Sequence, residues 1–346
     1  MATLLRFVLV LAVLSGAVGW FFLGTRTGQD LLLAQATSAL LGRVPVTEYD
    51  GLRVFMCGTS SPLLAPGRAQ ACVAIRAGDG LWIVDAGTGS NAAMTFAGEP
   101  VRNLRAVLLT HFHSDHIAGI GDFNLASWVA GRAAPLEVIG PPGVERVVAG
   151  FNEAFALDRE HRVDHHGTDL LDPDAGVLQA VAVETGVIVE DGGLRITAFL
   201  VDHSPIEPAF GYRFDYGGRS VVVSGDTVVT ESLRSAAQSA DLLLHDALSL
   251  PIVRALQAGA EQAGLARQAK ILLDIQDYHA AAADLPALAE SAGVGMLALY
   301  HLVPAPGNIL LEQIFERDLP GDTVLTVEGM VFELPRGTDR IRVRSP

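Results

Sequence analysis

The chain has 346 residues, half of them apolar, and a formal net charge of −15. This composition provides for a sizeable core and excludes global disorder. The acidity repels polyanions at long range and weighs against a broad nucleic-acid surface, leaving room for a local basic patch or a small anion held by metals.

In chain order, Met1 to Arg6 carries one positive side chain, and Phe7 through Gly24 carries no charged residue and only Ser15 as a polar one. That length is near the lower limit for a membrane-spanning helix, and Trp20, Phe21 and Phe22 suit the membrane interface. Ala17-Val18-Gly19 offers a competing signal-cleavage site, but the reading is an uncleaved anchor with the bulk of the chain on the periplasmic or outer side. Residues 1–24 are thus a signal-anchor or signal peptide. Residues 25–49 are a juxtamembrane connector with an apolar helical patch around Leu31–Leu40, and 50–346 form one α/β domain.

Strands bounded by turn residues are expected at Arg53–Cys57, Ala71–Arg76, Leu81–Val84, Ala106–Leu109, Leu136–Ile139 and Leu194–Phe199. Further strands are expected at Phe210–Phe214, Ser220–Ser224, Leu242–Leu244, Met296–Leu299, Val324–Thr326 and Met330–Leu334. Helices are expected at His116–Ala130, Gly143–Leu157, Glu231–Ala240, Pro251–Ala263, Ala280–Gly293 and Leu310–Arg317. Cys57 and Cys72 are too few for a thiolate zinc site. They lie on neighbouring strands, which leaves one bridge open in an oxidising compartment, with two buried free thiols as the expected state.

The run Thr110-His111-Phe112-His113-Ser114-Asp115-His116 follows an apolar strand and packs three imidazoles and a carboxylate into six positions. Such donors suit Zn2+ or a similar first-row metal. Alternation puts His111 and His113 on one face of an extended segment, and Asp115 and His116 sit where the chain turns into a helix and face a second metal. A solvated polar loop accounts for one or two such residues, not four at this spacing. Four further segments carry a metal-competent residue at a strand end or helix start: His203, Asp226 after Val221-Val222-Val223-Ser224-Gly225, His279 and His301.

With Gly58-Thr59-Ser60-Ser61-Pro62 and Val84-Asp85-Ala86-Gly87-Thr88-Gly89 ahead of the His-rich loop, this series resembles the metallo-β-lactamase superfamily over nearly all of residues 52–334. Phe210-Gly211-Tyr212-Arg213, His245-Asp246 and His279 resemble its ribonuclease Z-like branch, and Tyr300 to Pro306 looks most like an arylsulfatase-like group within it. The resemblance implies a four-layer αββα sandwich behind the N-terminal membrane helix. It implies one zinc on His111, His113 and His203, another on Asp115, His116 and His301, and Asp226 bridging both; Mn2+ or Fe would also suit these donors. Asp115 would orient or deprotonate the attacking water, and His279, held by Asp246, would protonate the leaving oxygen. Asp85 is expected to accept from a ligand imidazole or nearby backbone, and His245 to pack structurally. His161, His165 and His166 are expected in a solvated loop, and Arg68 is a weaker candidate for meeting an anionic substrate.

The tRNA endonucleases of this branch carry a long basic arm. Here only Phe214 to Arg219 separates two strands, and Phe151 to Gly193 is acidic. The expected partner is therefore a small anionic ester, a phosphodiester or an aryl sulfate or phosphate, with nucleic acid unlikely and a homodimer left open. The alternatives are tRNA 3′-processing and a catalytically silent membrane-tethered scaffold.

Overall fold

The structure, a computed structural model, describes residues 2–41, 49–63 and 65–346. It divides into two units, Met1–Thr47 and Glu48–Pro346. The first holds α1 (Ala2–Gly24) and α2 (Arg26–Leu41). Within α1, Arg6–Gly24 is long and apolar enough to cross a membrane. Thr25 breaks the two helices, its hydroxyl donating to the Phe21 carbonyl (2.7 Å) and accepting from the Gly28 N–H (3.1 Å). The connector expected over 25–49 is thus helical to Leu41, and its remainder up to residue 48 lies outside the described residues.

The described residues of the second unit form fifteen strands. They are β1 (Tyr49–Gly58), β2 (Cys72–Gly78), β3 (Gly80–Val84), β4 (Leu104–Leu108), β5 (Leu136–Gly140), β6 (Leu178–Ala182), β7 (Gly186–Asp191) and β8 (Leu194–His203). The remainder are β9 (Ile206–Tyr216), β10 (Arg219–Val223), β11 (Leu242–Leu248), β12 (Met296–Val303), β13 (Val324–Leu325), β14 (Val331–Pro335) and β15 (Arg342–Arg344). One sheet has the order β15-β14-β1-β2-β3-β4-β5-β6 and the other β13-β12-β11-β10-β9-β8-β7. Helices α3 (Ser90–Ala97), α4 (Ser114–Ile117), α5 (Ile120–Val129), α6 (Val144–Ala154) and α7 (Ala156–His166) follow strands of the first sheet. Helices α8 (Glu231–Ala236), α9 (Leu250–Gln262), α10 (Ala266–Asp274), α11 (Leu285–Ala292) and α12 (Ile309–Glu316) accompany the second.

Strand periodicity builds the layers. Leu52, Val54 and Met56 of β1 and Val73 and Ile75 of β2 meet Ile196, Phe210, Tyr212, Phe214 and Val221 between the sheets. The opposite faces pack on helices, Phe55 and Ile83 with Met94, Phe123 and Val144 on one side, Leu243 and Leu299 with Leu233, Leu288 and Phe315 on the other. The result is the four-layer αββα arrangement.

Every expected strand is present, most of them longer at one or both ends. Strands β6, β7 and β15 were not anticipated; β7 and β15 lie at sheet edges and expose polar residues, so they lack an apolar alternation. The helix expected over His116–Ala130 is two pieces, because Gly119 closes on the Gly87 and Ala86 carbonyls so tightly that a β-carbon there would sit 2.7 Å from the first. The segment expected as an irregular loop around His161, His165 and His166 is largely helix α7, which exposes all three and carries an Arg162–Asp158 pair at 2.8 Å.

The cysteines correct the expectation of free thiols. Cys57 and Cys72 face the same helix-side core from paired antiparallel strands and form a disulfide, Cα–Cα 5.0 Å. The bridge spans a sequence separation of 15, for which loop closure is worth about 3 kcal/mol. Replacing both cysteines with alanine is expected to lower unfolding stability by roughly 2–4 kcal/mol in urea titrations; an unchanged midpoint would show that the bridge adds nothing to the fold.

Candidate metal centre

The ends of β3, β4, β8, β10, β11 and β12 converge on one edge of the sandwich. At the end of β3, Asp85 is fully buried with φ of 59°, and one carboxylate oxygen takes the Thr110 N–H (2.9 Å) while the other meets the Thr110 hydroxyl (2.9 Å) and His116 Nδ1 (2.8 Å). That partner fixes the tautomer of His116 and turns its Nε2 toward the centre. Thr110 Oγ1 also lies 3.0 Å from His111 Nδ1, a role the sequence reading passed over. His203 closes β8 and donates from Nδ1 to the Tyr278 carbonyl (3.0 Å), again leaving Nε2 inward.

Asp226 follows Gly225, whose φ of 65° and contact with the Phe210 carbonyl, 2.6 Å from where a β-carbon would stand, require glycine. In β12 the pairing with β11 steps from Asp246↔Tyr300 to Ala247↔Leu302. His301 is the extra residue of this bulge, with φ of 42°, which re-aims its imidazole into the centre.

These elements bring all seven sequence-derived donors together. His113 Nδ1 lies 2.9 Å from His111 Nε2 and 3.4 Å from His203 Nε2, and Asp115 Oδ2 lies 3.1 Å from His301 Nε2 and 3.3 Å from His116 Nε2. Asp226 Oδ2 reaches both sets, 3.3 Å from His116, 3.4 Å from His301 and 3.9 Å from His111 and His203. The donors fit a pair of divalent cations: Asp226 Oδ1 and His116 Nε2 are buried without a hydrogen-bond partner among the described residues, and all are N or O atoms on one water-poor centre.

Burial, with neighbouring imidazoles, holds His111 well below the usual histidine range, and burial also lowers His113 and His203, whereas the carboxylates of Asp226 and Asp115 outweigh burial and raise His116 and His301. Burial opposes ionisation of Asp226 and Asp115, but the surrounding histidines outweigh it and hold both carboxyls low.

His279 stacks on His301 with ring centroids 5.5 Å apart and lies 5.3 Å from the His203 ring. Its Nδ1 is 2.8 Å from Asp246 Oδ2, while the buried Asp246 N–H donates to Ser224 Oγ (3.1 Å). His245 is buried, bonds the Asp246 carbonyl through Nδ1 (2.7 Å) and belongs to neither donor set. Arg68 is tied to Thr59 Oγ1 (2.8 Å) and the Thr326 carbonyl (3.0 Å), an assignment to structure rather than to an anion. Phe-Gly-Tyr-Arg is architectural: the Tyr212 hydroxyl donates to the Leu109 carbonyl (2.6 Å), and Arg213 pairs with Asp215 (3.0 Å).

Comparison with known proteins gives a match of residues 82–301 to the model of the β-lactamase superfamily domain. The chain is 38% identical over 259 residues to a ribonuclease Z of Mycobacterium bovis (strain BCG), spanning 74% of this chain and 88% of the relative. It is 36% identical over 257 residues to a ribonuclease Z of Mycobacterium marinum, 73% of this chain and 87% of the relative. Among solved structures, the fold is similar to the metallo-β-lactamase fold protein YhfI of Bacillus subtilis (TM-score 0.57, 22% identity, 82% of this chain and 100% of that one). It is also similar to the short form of human tRNase Z (TM-score 0.57, 17% identity, 82% and 99%).

Two substitutions test the centre by metal analysis. Asp226→Ala is expected to leave at most one cation per chain after gel filtration, and Asp85→Asn to weaken retention by about 10- to 100-fold in chelator competition. Full metal content in Asp226→Ala would remove its place between the two sets.

Proposed function

The chain belongs to the β-lactamase superfamily of metal-dependent hydrolases, in its ribonuclease Z-like branch, and on that premise we propose that it hydrolyses phosphodiester bonds of RNA. The observation that carries this reading is the seven-donor centre with His279, locked by Asp246, stacked against it. The relatives named ribonuclease Z correct the expected partner. A small anionic ester is withdrawn as the substrate, and with it the expectation that nucleic acid is unlikely. That expectation rested on the absence of a long basic arm together with the charge of −15, and neither bears on the local field at the metal centre, to which strand binding answers. The arylsulfatase-like expectation gains no support from these relatives.

Zinc is the cation best matched to imidazole and carboxylate donors at open sites, with Mn2+ or Fe accepted by the same set. Two such cations would lower the pKa of water and neutralise charge on phosphate oxygens. The chain's own residues do the rest. Asp115, held ionised, orients the attacking water and accepts its proton. His279 spends Nδ1 on Asp246, so Nε2 is the atom that gives a proton to the leaving oxygen, and the Asp246 carboxylate fixes the orientation of the ring.

Substituting His279 with alanine is expected to lower kcat on a 3′-extended RNA by about 100- to 10,000-fold with metal content retained. If the metal-loaded chain turns over bis(p-nitrophenyl) phosphate but cleaves no RNA, the substrate reading fails.

We also propose that α1 anchors the hydrolase unit in a membrane with that unit on an oxidising, extracytoplasmic side. An apolar stretch over Arg6–Gly24 and the Cys57–Cys72 bridge support this. The full chain is expected to stay with membranes through alkaline carbonate washing; release into the supernatant would count against the anchor.

A further inference from the structure

Beside the ligand loop lies an open cleft of about 520 Å3, lined by His111, Phe112, His113, Arg146, Ile206 and Pro208 among others. Two of these are metal-centre donors, so the cleft leads directly to the reacting atoms. One wall is Phe112 with the first turns of α6; the other is the hairpin between β8 and β9.

Arg146 is the only cationic side chain in this lining, and its exposed guanidinium forms no hydrogen bond or ion pair with any described residue. Arg68, Arg213 and Arg219 are each tied to protein oxygens. Even the neighbouring Glu145 turns away from Arg146, accepting the Gly143 N–H (3.0 Å). Phe112 alternates with the ligands His111 and His113 and is half-buried. Its ring rests against Gly143, 3.1 Å from where a β-carbon would stand. On the facing wall, the Glu207 carboxylate accepts from Ser204 Oγ (3.2 Å) and would repel a phosphate there, confining a polyanion to the Arg146 side.

An aromatic ring and a free guanidinium beside a phosphodiester-cleaving centre form the combination that grips one nucleotide of a strand. We propose that this cleft carries the RNA flanking the scissile bond, with Arg146 on the phosphate next to the one cleaved and Phe112 under the base between them. The assignment rests on the reading of RNA as substrate.

The test is steady-state cleavage by the full, metal-loaded chain in detergent, on a hairpin RNA with a single-stranded 3′ tail and on bis(p-nitrophenyl) phosphate, across a salt series. Arg146→Ala is expected to lower kcat/KM on RNA about tenfold, mainly through KM, with a far smaller loss on the diester. The slope of log kcat/KM against log salt should flatten by about one, and Arg146→Lys should restore part of the loss. Phe112→Ala should weaken RNA cleavage without changing that slope. The surface variant Arg267→Ala on α10 serves as the charge control and should leave both activities unchanged. Equal losses on the two substrates, or an Arg267→Ala effect matching that of Arg146→Ala, would overturn the assignment. RNA cleavage by wild type with Arg146→Ala unaltered removes the cleft assignment alone, whereas diester turnover with no RNA cleavage removes the RNA reading and the cleft with it.

Discussion

One buried carboxylate holds the ligand loop in place. Asp85 accepts from the backbone and hydroxyl of Thr110 and from His116 Nδ1, and so ties the end of β3 to the end of β4 and to the helical turn that follows. Without those three partners, a carboxyl group with no solvent exposure would be costly to bury. With them, the positive φ at Asp85 becomes tolerable, because the surrounding hydrogen bonds over-determine it. His111, His113, Asp115 and His116 inherit their positions from this knot.

The same logic recurs on the other sheet. His203 is oriented by a backbone carbonyl, Asp226 by a glycine turn, and His301 by a bulge. Each device spends local regularity to aim one side chain: His203 is the last residue of β8, Asp226 lies just past the end of β10, and His301 interrupts β12, whose ladder with β11 resumes at Leu302. The sandwich core between the sheets needs none of them.

This division explains what could be read from the chain alone. The strands were legible because Val, Leu and Ile runs end abruptly in His or Asp, and the donors were legible because an apolar strand seldom ends that way. The bulge at His301 was not, since it depends on how β11 and β12 pair. Helix α7 was hidden by its charge, which resembles a loop when read one residue at a time. The disulfide stayed undecided because adjacency of the two strands, which the chain suggests, does not give the register that puts Cys57 beside Cys72 on one face. Net charge carried the least information, because it averages over the whole surface and says nothing of the field at one edge.

The origin of the donors has a mechanical consequence. Each set draws on both sheets: His111 and His113 join His203, and Asp115 and His116 join His301, with Asp226 common to both. A cation in either set would therefore cross-link the two halves of the sandwich, adding to the Phe210–Thr110 and Leu302–Thr59 backbone bonds that already join the sheets there. Cohesion there becomes a function of free metal concentration, since whatever binds the folded state alone stabilises it by mass action. Starved of metal, the protein would lose its grip along the active edge before its interior loosened.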